Sequence, residues 1–157
     1  MEEKFTLFWG GVFSQWYPSV IKYDNGMVFN CAEQAMMWEK AILFGDEKIA
    51  KEIMITIYPS GQKALGRKVS GFDKKRWEKM AREIVYKINE YKFKQNLRLM
   101  KVLLDTIGTT IVEASLYDKI WGIGLGKNNP DALDRTKWKG TNWLGQVLTD
   151  LRDNILK

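Results

Sequence analysis

The feature that most constrains the fold is a long amphipathic stretch in the middle of the chain, from about Asp73 to Thr106. Apolar residues recur there at intervals of three and four, which is the period of a helix with one buried face. Asp73 precedes them and is a residue type that caps helix N-termini. The centre of the chain is therefore predicted to be helical. The apolar positions are Trp77, Met80, Ala81, Ile84, Val85 and Ile88, followed in a second stretch from Phe93 to Leu104 by Leu97, Met100, Val102 and Leu104.

The flanking segments predict further helices and a few strands. FTLFWGGVFSQWYPS is typical of a strand that runs into an ordered loop, and Asn25-Gly26 between two apolar runs indicates a hairpin. Together these patterns predict an α+β fold, in which helices pack around a small sheet. The remaining predictions are helices over about 30–44, 46–55 and 60–68, a buried strand over 109–115, a Gly- and Asn-rich loop over 121–132, and a C-terminal helix that begins after Asn142.

The length of 157 residues is that of one domain, so we expect a single domain over 1–157. No apolar run approaches the roughly 18 residues of a membrane span. The N-terminal MEEKFTLFWGG lacks the pattern of a signal peptide, and the single cysteine, Cys31, has no partner for an intramolecular disulfide. We expect a cytoplasmic protein with no membrane partner, and the sequence does not indicate an oligomeric state.

Two residue types limit the chemistry. The chain has no histidine, which excludes histidine general bases and histidine metal ligands. One cysteine also excludes the zinc clusters that need several thiolates, so we expect no metal and no cofactor. Any proton transfer must use Asp, Glu, Lys or Tyr, and a covalent nucleophile must be Lys, a carboxylate or the cysteine.

The net charge of +6 favours an anionic partner, either a phosphorylated metabolite or nucleic acid. A solvated surface without specific meaning is the alternative, because the basic residues look scattered and Lys74-Lys75-Arg76 is the only triplet. A DNA-binding protein without a pocket would have a concentrated basic stripe, which this distribution does not indicate.

The segment NCAEQAMMWEKA places Glu33 and Lys40 seven residues apart. In a helix both side chains lie on one face, and the long lysine side chain leans back toward Glu33. Their tips can then meet on one ligand, and a lysine among apolar residues loses its charge more easily and becomes a nucleophile. The structural alternatives are a capping box formed by Asn30 with Glu33, and a Lys40 side chain that reaches solvent from the helix end.

The segment DKIWGIGLG places Asp118 before Trp121 and Gly122, in a run of closely spaced glycines that let a backbone approach a ligand. Its spacing differs from the dinucleotide-binding fingerprint, and a simple turn with Asp118 as an ordinary turn acid is the alternative. Arg67 either binds phosphate or pairs with surface acids. Asn142 is a natural N-cap for the last helix.

Taken in order, six segments resemble the YbiA-like, or NADAR, family, over roughly residues 8 to 152. These are FWGGVFSQWYPS, FNCAEQAMMWEKA, LGRKVSGFD with RW close behind, KFKQN, IVEAS with DKIWGIG, and NWLG. The resemblance implies an N-glycosidase of one compact α+β domain, which cleaves the bond between ribose and a nitrogen of a base. Its substrates would be phosphoribosyl-aminopyrimidine intermediates of riboflavin synthesis or ADP-ribose attached to guanine, as a small molecule or in nucleic acid.

The resemblance also assigns residues to the site. Glu33 would be the principal acid/base, Lys40 the helix lysine and Asp118 an assisting acid. A neutral Lys40 amine would form a Schiff base with the anomeric carbon once the ribose ring opens. The substrate-binding residues would be Arg67, facing phosphate, together with Trp9, Phe13, Ser14, Trp121, Gly122 and Asn142.

Two positions depart from the family pattern. Gln15 follows Ser14 where many members have asparagine, and Ile123 stands where members close to YbiA carry aspartate. The second departure removes an acid that would bind polar groups of a riboflavin intermediate. The competing class is a non-catalytic module that binds ADP-ribose or a nucleotide, but such a binder does not need Glu33, Lys40 and Asp118 together.

Overall fold

The computed structural model describes residues 2–157, and it confirms a mainly helical α+β fold. The described residues form two compact units, one built from residues 15–95 and the other from the segments before and after it. The first unit contains β2 (Ile21–Lys22), β3 (Val28–Phe29), α1 (Ala32–Leu43), α2 (Glu47–Met54), α3 (Pro59–Gly66) and α4 (Lys74–Lys94). The second contains β1 (Phe5–Phe8), α5 (Leu97–Leu104), β4 (Thr110–Glu113) and α6 (Trp143–Ile155).

The predicted hairpin is present in the first unit. β2 and β3 pair antiparallel, with Ile21 opposite Phe29. Gly26 in the connecting turn has a φ of 90°, which glycine adopts without a steric penalty. Because α1 packs against α2, α3 and α4, the hairpin and three helices surround the helix that holds Glu33 and Lys40.

Two helices of this unit, α2 and α4, are capped at their N-termini by the side chain of the preceding residue. The Asp46 carboxylate accepts a hydrogen bond from the Ile49 N–H at the start of α2. Asp73 is the N-cap of α4, as predicted, and accepts from the first-turn N–H groups at 3.0 and 3.3 Å. Pro59 is the first residue of α3, a position that tolerates proline because its missing N–H has no intrahelical partner there.

The start of α1 differs from the predicted capping box. Its N-cap is Cys31, and Asn30 lies outside the helix. The Asn30 side chain instead donates to the Ile57 carbonyl at 2.9 Å and accepts from Gln62 at 3.0 Å. The Glu33 N–H, which a capping Asn30 would have bound, donates to the backbone oxygen of Gln15 at 2.8 Å. The capping-box prediction was wrong because residues distant in sequence satisfy these groups.

The central amphipathic stretch is divided between two helices. The predicted stripe on α4 is confirmed from Ala81 onward, with Ala81, Ile84, Val85 and Ile88 buried, whereas Trp77 and Met80 are only partly buried. In α5 the predicted face was wrong, since Leu97 is 86% exposed. The helix begins at that residue, and its buried side chains are Leu99 and Leu103, one turn apart.

The second unit is built around β4, the predicted buried strand. β1 runs parallel to β4, with Phe5 opposite Thr110. α6 packs on β4, and the Thr149 hydroxyl on this helix accepts a hydrogen bond from the Ile111 N–H at 2.9 Å. α6 buries the side chains of Leu144, Val147, Leu148 and Leu151. No helix among residues 2–157 has the length and apolar character to cross a membrane.

Lys92 on α4 is a buried lysine, with no exposed side-chain surface. Its Nζ lies 5.8 Å from the Tyr17 ring and 5.2 Å from the Phe93 ring. Burial disfavours the ammonium form and lowers the pKa of Lys92 to about 7. The unfolded chain therefore binds more protons at this residue than the folded chain does between pH 7 and the ordinary lysine pKa.

We expect Lys92→Met to remove one source of pH-dependent stability. In the wild type the free energy of unfolding should rise with pH above about 7, by up to about 1.4 kcal/mol per pH unit from this residue. Urea unfolding of both proteins at pH 7, 8 and 9 tests this expectation. As the pH rises, the wild type should gain stability relative to the variant. Parallel pH profiles for the two proteins would contradict the assignment.

Candidate active site

Glu33 and Lys40 lie on one face of α1, as their spacing predicts. Glu33 is in the first turn and only 6% exposed, whereas Lys40 is in the last turn and half-buried. Seven helical residues rise by roughly 10.5 Å, a span that the lysine side chain shortens by leaning toward the N-terminus. The face therefore presents a buried acid and a partly desolvated amine to the same space.

The surroundings of Lys40 are aromatic. Its Nζ lies 4.6 Å from the centre of the Phe72 ring and 5.8 Å from that of Trp77. Burial lowers the pKa of Lys40, the Glu33 charge opposes this shift, and the Arg67 charge adds to it. The Lys40 ammonium group therefore loses its proton more easily than that of a lysine in water, while the aromatic faces still stabilise the cation.

Arg67 is brought next to Lys40 by the packing of α3 on α1. Gly66 ends α3 directly against the Met37 side chain, where a Cβ would collide with the thioether. Arg67 follows as the C-cap and is exposed. The Asp46 carboxylate holds the next part of the loop by accepting from the Ser70 N–H at 2.9 Å. Glu33, Lys40 and Arg67 therefore form one cluster in the 15–95 unit.

Gln15 supports the start of α1, a role that the sequence reasoning missed. Its backbone oxygen accepts from the Glu33 N–H, and its side-chain Nε2 donates to the Met36 sulfur at 3.7 Å. Its Oε1 accepts from Asn89 Nδ2 on α4 at 3.1 Å. The departure from the family pattern at this position was the available signal, since the longer amide side chain reaches α4.

In the second unit, Asp118 organises the predicted glycine-rich loop. Its Oδ1 accepts from the backbone N–H groups of Ile120 at 3.0 Å and Trp121 at 2.8 Å. The backbone oxygen of Asp118 accepts from Gly124 N–H at 3.1 Å. These bonds agree with the interpretation of Asp118 as a turn acid, and they orient the loop that contains Trp121 and Gly122.

The same loop caps α6 through its backbone. The carbonyl oxygens of residues 120–122 accept from the N–H groups of residues 142–144 at 3.0 to 3.1 Å. The Trp121 ring packs edge-to-face on Trp143, with ring centres 5.5 Å apart. Helix N-terminal N–H groups need such partners when side-chain caps are absent. The loop is therefore fixed by the helix that it precedes.

Asn142 occupies the N-cap position of α6, but its side chain does not cap the helix. Its Oδ1 accepts from the Glu113 N–H at 3.0 Å, and its Nδ2 donates to the Ile111 carbonyl at 3.1 Å. The residue is 2% exposed and adopts a left-handed φ of 52°. The predicted capping by Asn142 was wrong because its amide ties β4 to the start of α6.

The N-terminal aromatic segment turns sharply at two glycines, Gly10 and Gly11, whose φ angles of 78° and 72° are left-handed. Trp9 before them is 71% exposed. Phe13 after them is buried and packs on the Phe8 ring at 5.5 Å. Ser14 closes the turn, its N–H donating to Gly11 O at 2.9 Å. Of these predicted binding residues, Trp9 has the most surface available to a ligand.

Ile123 lies in the apolar interior of the second unit. It has no exposed surface and packs in a buried cluster with Val112, Leu125 and Ala132. The aspartate that YbiA-close members are expected to carry here is therefore replaced by a core side chain. In this chain, position 123 offers no polar group to a substrate.

These observations describe an α+β protein with a candidate site of an acid and a partly desolvated amine. The profile of the NADAR domain matches residues 7–156. The chain belongs to the NADAR domain family.

Individual proteins agree with this assignment. The N-glycosidase R617 of Acanthamoeba polyphaga mimivirus is 47% identical over 146 residues, which cover 90% of this chain and 86% of that protein. The chloroplastic riboflavin biosynthesis protein PYRR of Arabidopsis thaliana is 38% identical over 80 residues, 51% of this chain and 12% of that protein. The NMR structure of the E. coli protein YbiA matches with a TM-score of 0.79 and 28% identity, over 99% of this chain and 87% of that one.

The glycine at position 122 is required by packing. A Cβ there would lie 2.9 Å from the backbone oxygens of both Asp118 and Glu113. At Gly126 in the same loop, a Cβ would meet nothing within 4 Å. We expect Gly122→Ala to lower the free energy of unfolding by about 1–3 kcal/mol, and Gly126→Ala to change it by less than about 0.5 kcal/mol. Urea unfolding measures both free energies. An equal loss of stability in the two variants would show that contact of the added Cβ with the backbone oxygens does not cause the destabilisation.

Proposed function

We propose that this chain hydrolyses the N-glycosidic bond between ribose and guanine in ADP-ribosylated guanine, or the corresponding bond of a phosphoribosyl-aminopyrimidine. As a NADAR family member with a 47% identical relative named N-glycosidase, the chain is a hydrolase that acts on N-glycosyl bonds. The substrate and the residue roles are our proposal.

The observation that supports the proposal most is the environment of Lys40. A buried acid precedes it on the same helix face, and burial lowers the pKa of its amine. An amine that loses its proton easily attacks carbon electrophiles, whereas a fully solvated lysine remains a cation at neutral pH. A binding module has no need of a lysine that is costly to keep charged.

The first half of the proposed reaction breaks the glycosidic bond. The Lys40 Nζ lone pair attacks the anomeric carbon, and the bond from that carbon to the base nitrogen breaks. Glu33 in its acid form gives its proton to the departing base, as general acids do in glycoside cleavage. The Glu33 carboxylate then takes a proton from the nitrogen of the new C–N bond and gives it to the ring oxygen, as the bond from that oxygen to the anomeric carbon breaks. The product is an open-chain sugar joined to Lys40 as a protonated Schiff base.

The second half consumes one water molecule. Water adds to the imine carbon, with the Glu33 carboxylate accepting one of its protons. The hydroxyl proton of the adduct passes to the Lys40 nitrogen, and the carbon–nitrogen bond then breaks. The amine is restored, and the sugar leaves as an aldehyde that closes to ribose. The overall change is hydrolysis, and no oxidant or metal is required for the balance.

The other candidate residues take positioning roles in this proposal. Arg67, exposed and beside Lys40, contacts a phosphate of the substrate. Trp9 and Trp121 stack on the base or the sugar. Asp118 orients the loop that contains Trp121. Phe13, Ser14, Gly122 and Asn142 hold the loops on which these groups stand. A guanine in nucleic acid would also have to leave the base stack to reach Lys40.

The identity of residue 123 favours the ADP-ribosyl substrate. An aspartate there would bind polar groups of an aminopyrimidine, but Ile123 is fully buried among apolar side chains. The PYRR relative supports the riboflavin branch of the family in general. We therefore place ADP-ribosylated guanine first and phosphoribosyl-aminopyrimidines second.

The activity is tested with a substrate panel and the Glu33→Gln variant. The panel contains guanine-linked ADP-ribose, as nucleoside and in DNA, and phosphoribosyl-aminopyrimidines, with the released base measured by mass spectrometry. We expect Glu33→Gln to slow base release by about 10²- to 10⁴-fold, because the amide cannot donate or accept the required proton. Glu39→Gln on the same helix serves as the matched control and should retain activity.

Release of guanine from the ADP-ribosyl substrates alone would establish the first choice of substrate. Release from the aminopyrimidines alone would establish the second. No release from any panel member, with tight binding of ADP-ribose, would make the chain a binding module and refute the proposed catalysis.

The covalent step predicts a trapped adduct on Lys40. Borohydride added during turnover should reduce the Schiff base and add the mass of the sugar to the peptide with Lys40. We expect the yield to rise with pH through a value below the ordinary lysine pKa, since only the neutral amine attacks and burial lowers the pKa of Lys40. Lys40→Arg should give no adduct, and Lys48→Arg on the exposed face of α2 should give the wild-type yield. An adduct on another lysine, or none during active turnover, would contradict the mechanism.

A further inference from the structure

The positive charge of the chain is concentrated in one segment. Residues 63–82 contain eight Lys and Arg side chains and two acids, Asp73 and Glu78. Their net charge of +6 equals the net charge of the whole chain. The basic residues looked scattered when only consecutive runs were considered, and that interpretation was wrong. We call residues 63–82 the basic segment.

Both acids of the basic segment are already engaged. The Asp73 carboxylate accepts hydrogen bonds from backbone N–H groups at the start of α4. The Glu78 carboxylate pairs with Lys74 at 3.9 Å across one helical turn. All eight basic residues are exposed. The segment therefore presents a dense positive charge to solvent.

The basic residues of α4 form a continuous stripe. Lys75, Lys79 and Arg82 are spaced at i, i+4 and i+7, so they lie on one side of the helix. That side faces away from the buried stripe of α4, which contains Ala81 and Ile84. The stripe is roughly 10 Å long, at 1.5 Å of rise per residue.

The position of this charge on the helix is unfavourable for folding. Three consecutive cations, Lys74 to Arg76, stand at the N-terminus of α4, and the first turn contains no acid. The helix dipole is positive at this end, so anionic residues would stabilise it and cations destabilise it. A local arrangement that opposes stability is expected where function requires it.

The basic segment also adjoins the candidate active site. The Arg76 guanidinium lies 5.7 Å from the Phe44 ring centre. Phe44 packs edge-to-face on Phe72 at 5.3 Å, and Phe72 lies under the Lys40 ammonium. Phe72 is 45% exposed. Positive charge and an accessible aromatic ring therefore lie next to Lys40.

We propose that the basic segment is a binding surface for the phosphodiester backbone of single-stranded nucleic acid. A row of cations beside an exposed aromatic ring is the combination that tracks a single strand, with phosphates on the cations and a base on the ring. A single diphosphate needs far fewer than eight cations. The Lys75, Lys79 and Arg82 stripe has no apolar side chain that would insert into a membrane. This binding needs no ribosyl group, so it is independent of the proposed hydrolysis.

The test is fluorescence anisotropy with an unmodified, labelled 20-nucleotide single strand over a range of salt concentrations. We expect the variant K75Q/K79Q/R82Q to bind at least about ten-fold more weakly than the wild type at low salt. The slope of log affinity against log salt should fall in magnitude by about 2, because each phosphate that a cation neutralises on a single strand contributes about 0.7 to that slope.

Two matched variants separate the stripe from net charge. K4Q/K101Q/K157Q removes the same charge from exposed lysines outside the basic segment and should keep the wild-type slope. K75R/K79R/R82K keeps the charge of the stripe and should bind as the wild type, with circular dichroism confirming that each variant is folded.

Three results would overturn the proposal: no binding of the strand by the wild type, an equal decrease of affinity in both neutralised triples, or tighter and equally stripe-dependent binding to vesicles of 70% phosphatidylcholine and 30% phosphatidylglycerol. The last would assign the surface to anionic membranes. None of them bears on base release, which the substrate panel measures separately.

Discussion

The burial of α1 is the constraint on which the candidate chemistry depends. This helix packs against three others, and its residues 32–37 are all buried. An acid in that stretch, Glu33, is consequently removed from water, and the lysine two turns further on is only partly solvated. Desolvation lowers the pKa of an amine, and a nearby carboxylate limits the effect. The helix packing thus makes Lys40 easier to deprotonate and leaves the Glu33 carboxyl group on the same helix face.

In the second unit, hydrogen bonds from backbone and side-chain groups hold the loop around Trp121 against the start of α6. The loop around Trp121 supplies its carbonyls to α6, and Asn142 supplies its amide to β4. A left-handed asparagine is unfavourable by itself and persists only where surrounding bonds determine it. These interactions account for the positions of Asp118, Gly122 and Asn142 without requiring a bound ligand. The packing of the Trp121 ring on Trp143 also fixes its orientation.

Electrostatics connects the proposed reaction to the proposed binding surface. Arg67 belongs to the basic segment and also raises the cost of a proton on Lys40. The same positive field that would attract a phosphate backbone therefore favours the neutral amine. A polyanion bound there would partly cancel this field and shift the pKa of Lys40 back toward its ordinary value.

The sequence by itself determined the features encoded by neighbouring residues: the amphipathic stripe of α4, the hairpin at Asn25-Gly26, the cap at Asp73, and the shared face of Glu33 and Lys40. Periodicity and turn chemistry are local, so these were predictable, as was the family from its ordered motifs. Only the tertiary structure decided that Gln15 rather than Asn30 satisfies the start of α1, that Asn142 ties β4 to α6, and that α5 buries Leu99 rather than Leu97. Each of these depends on a contact between residues far apart in the chain, which no local pattern records. The desolvation of Lys40 by Phe72 and Trp77 has the same origin.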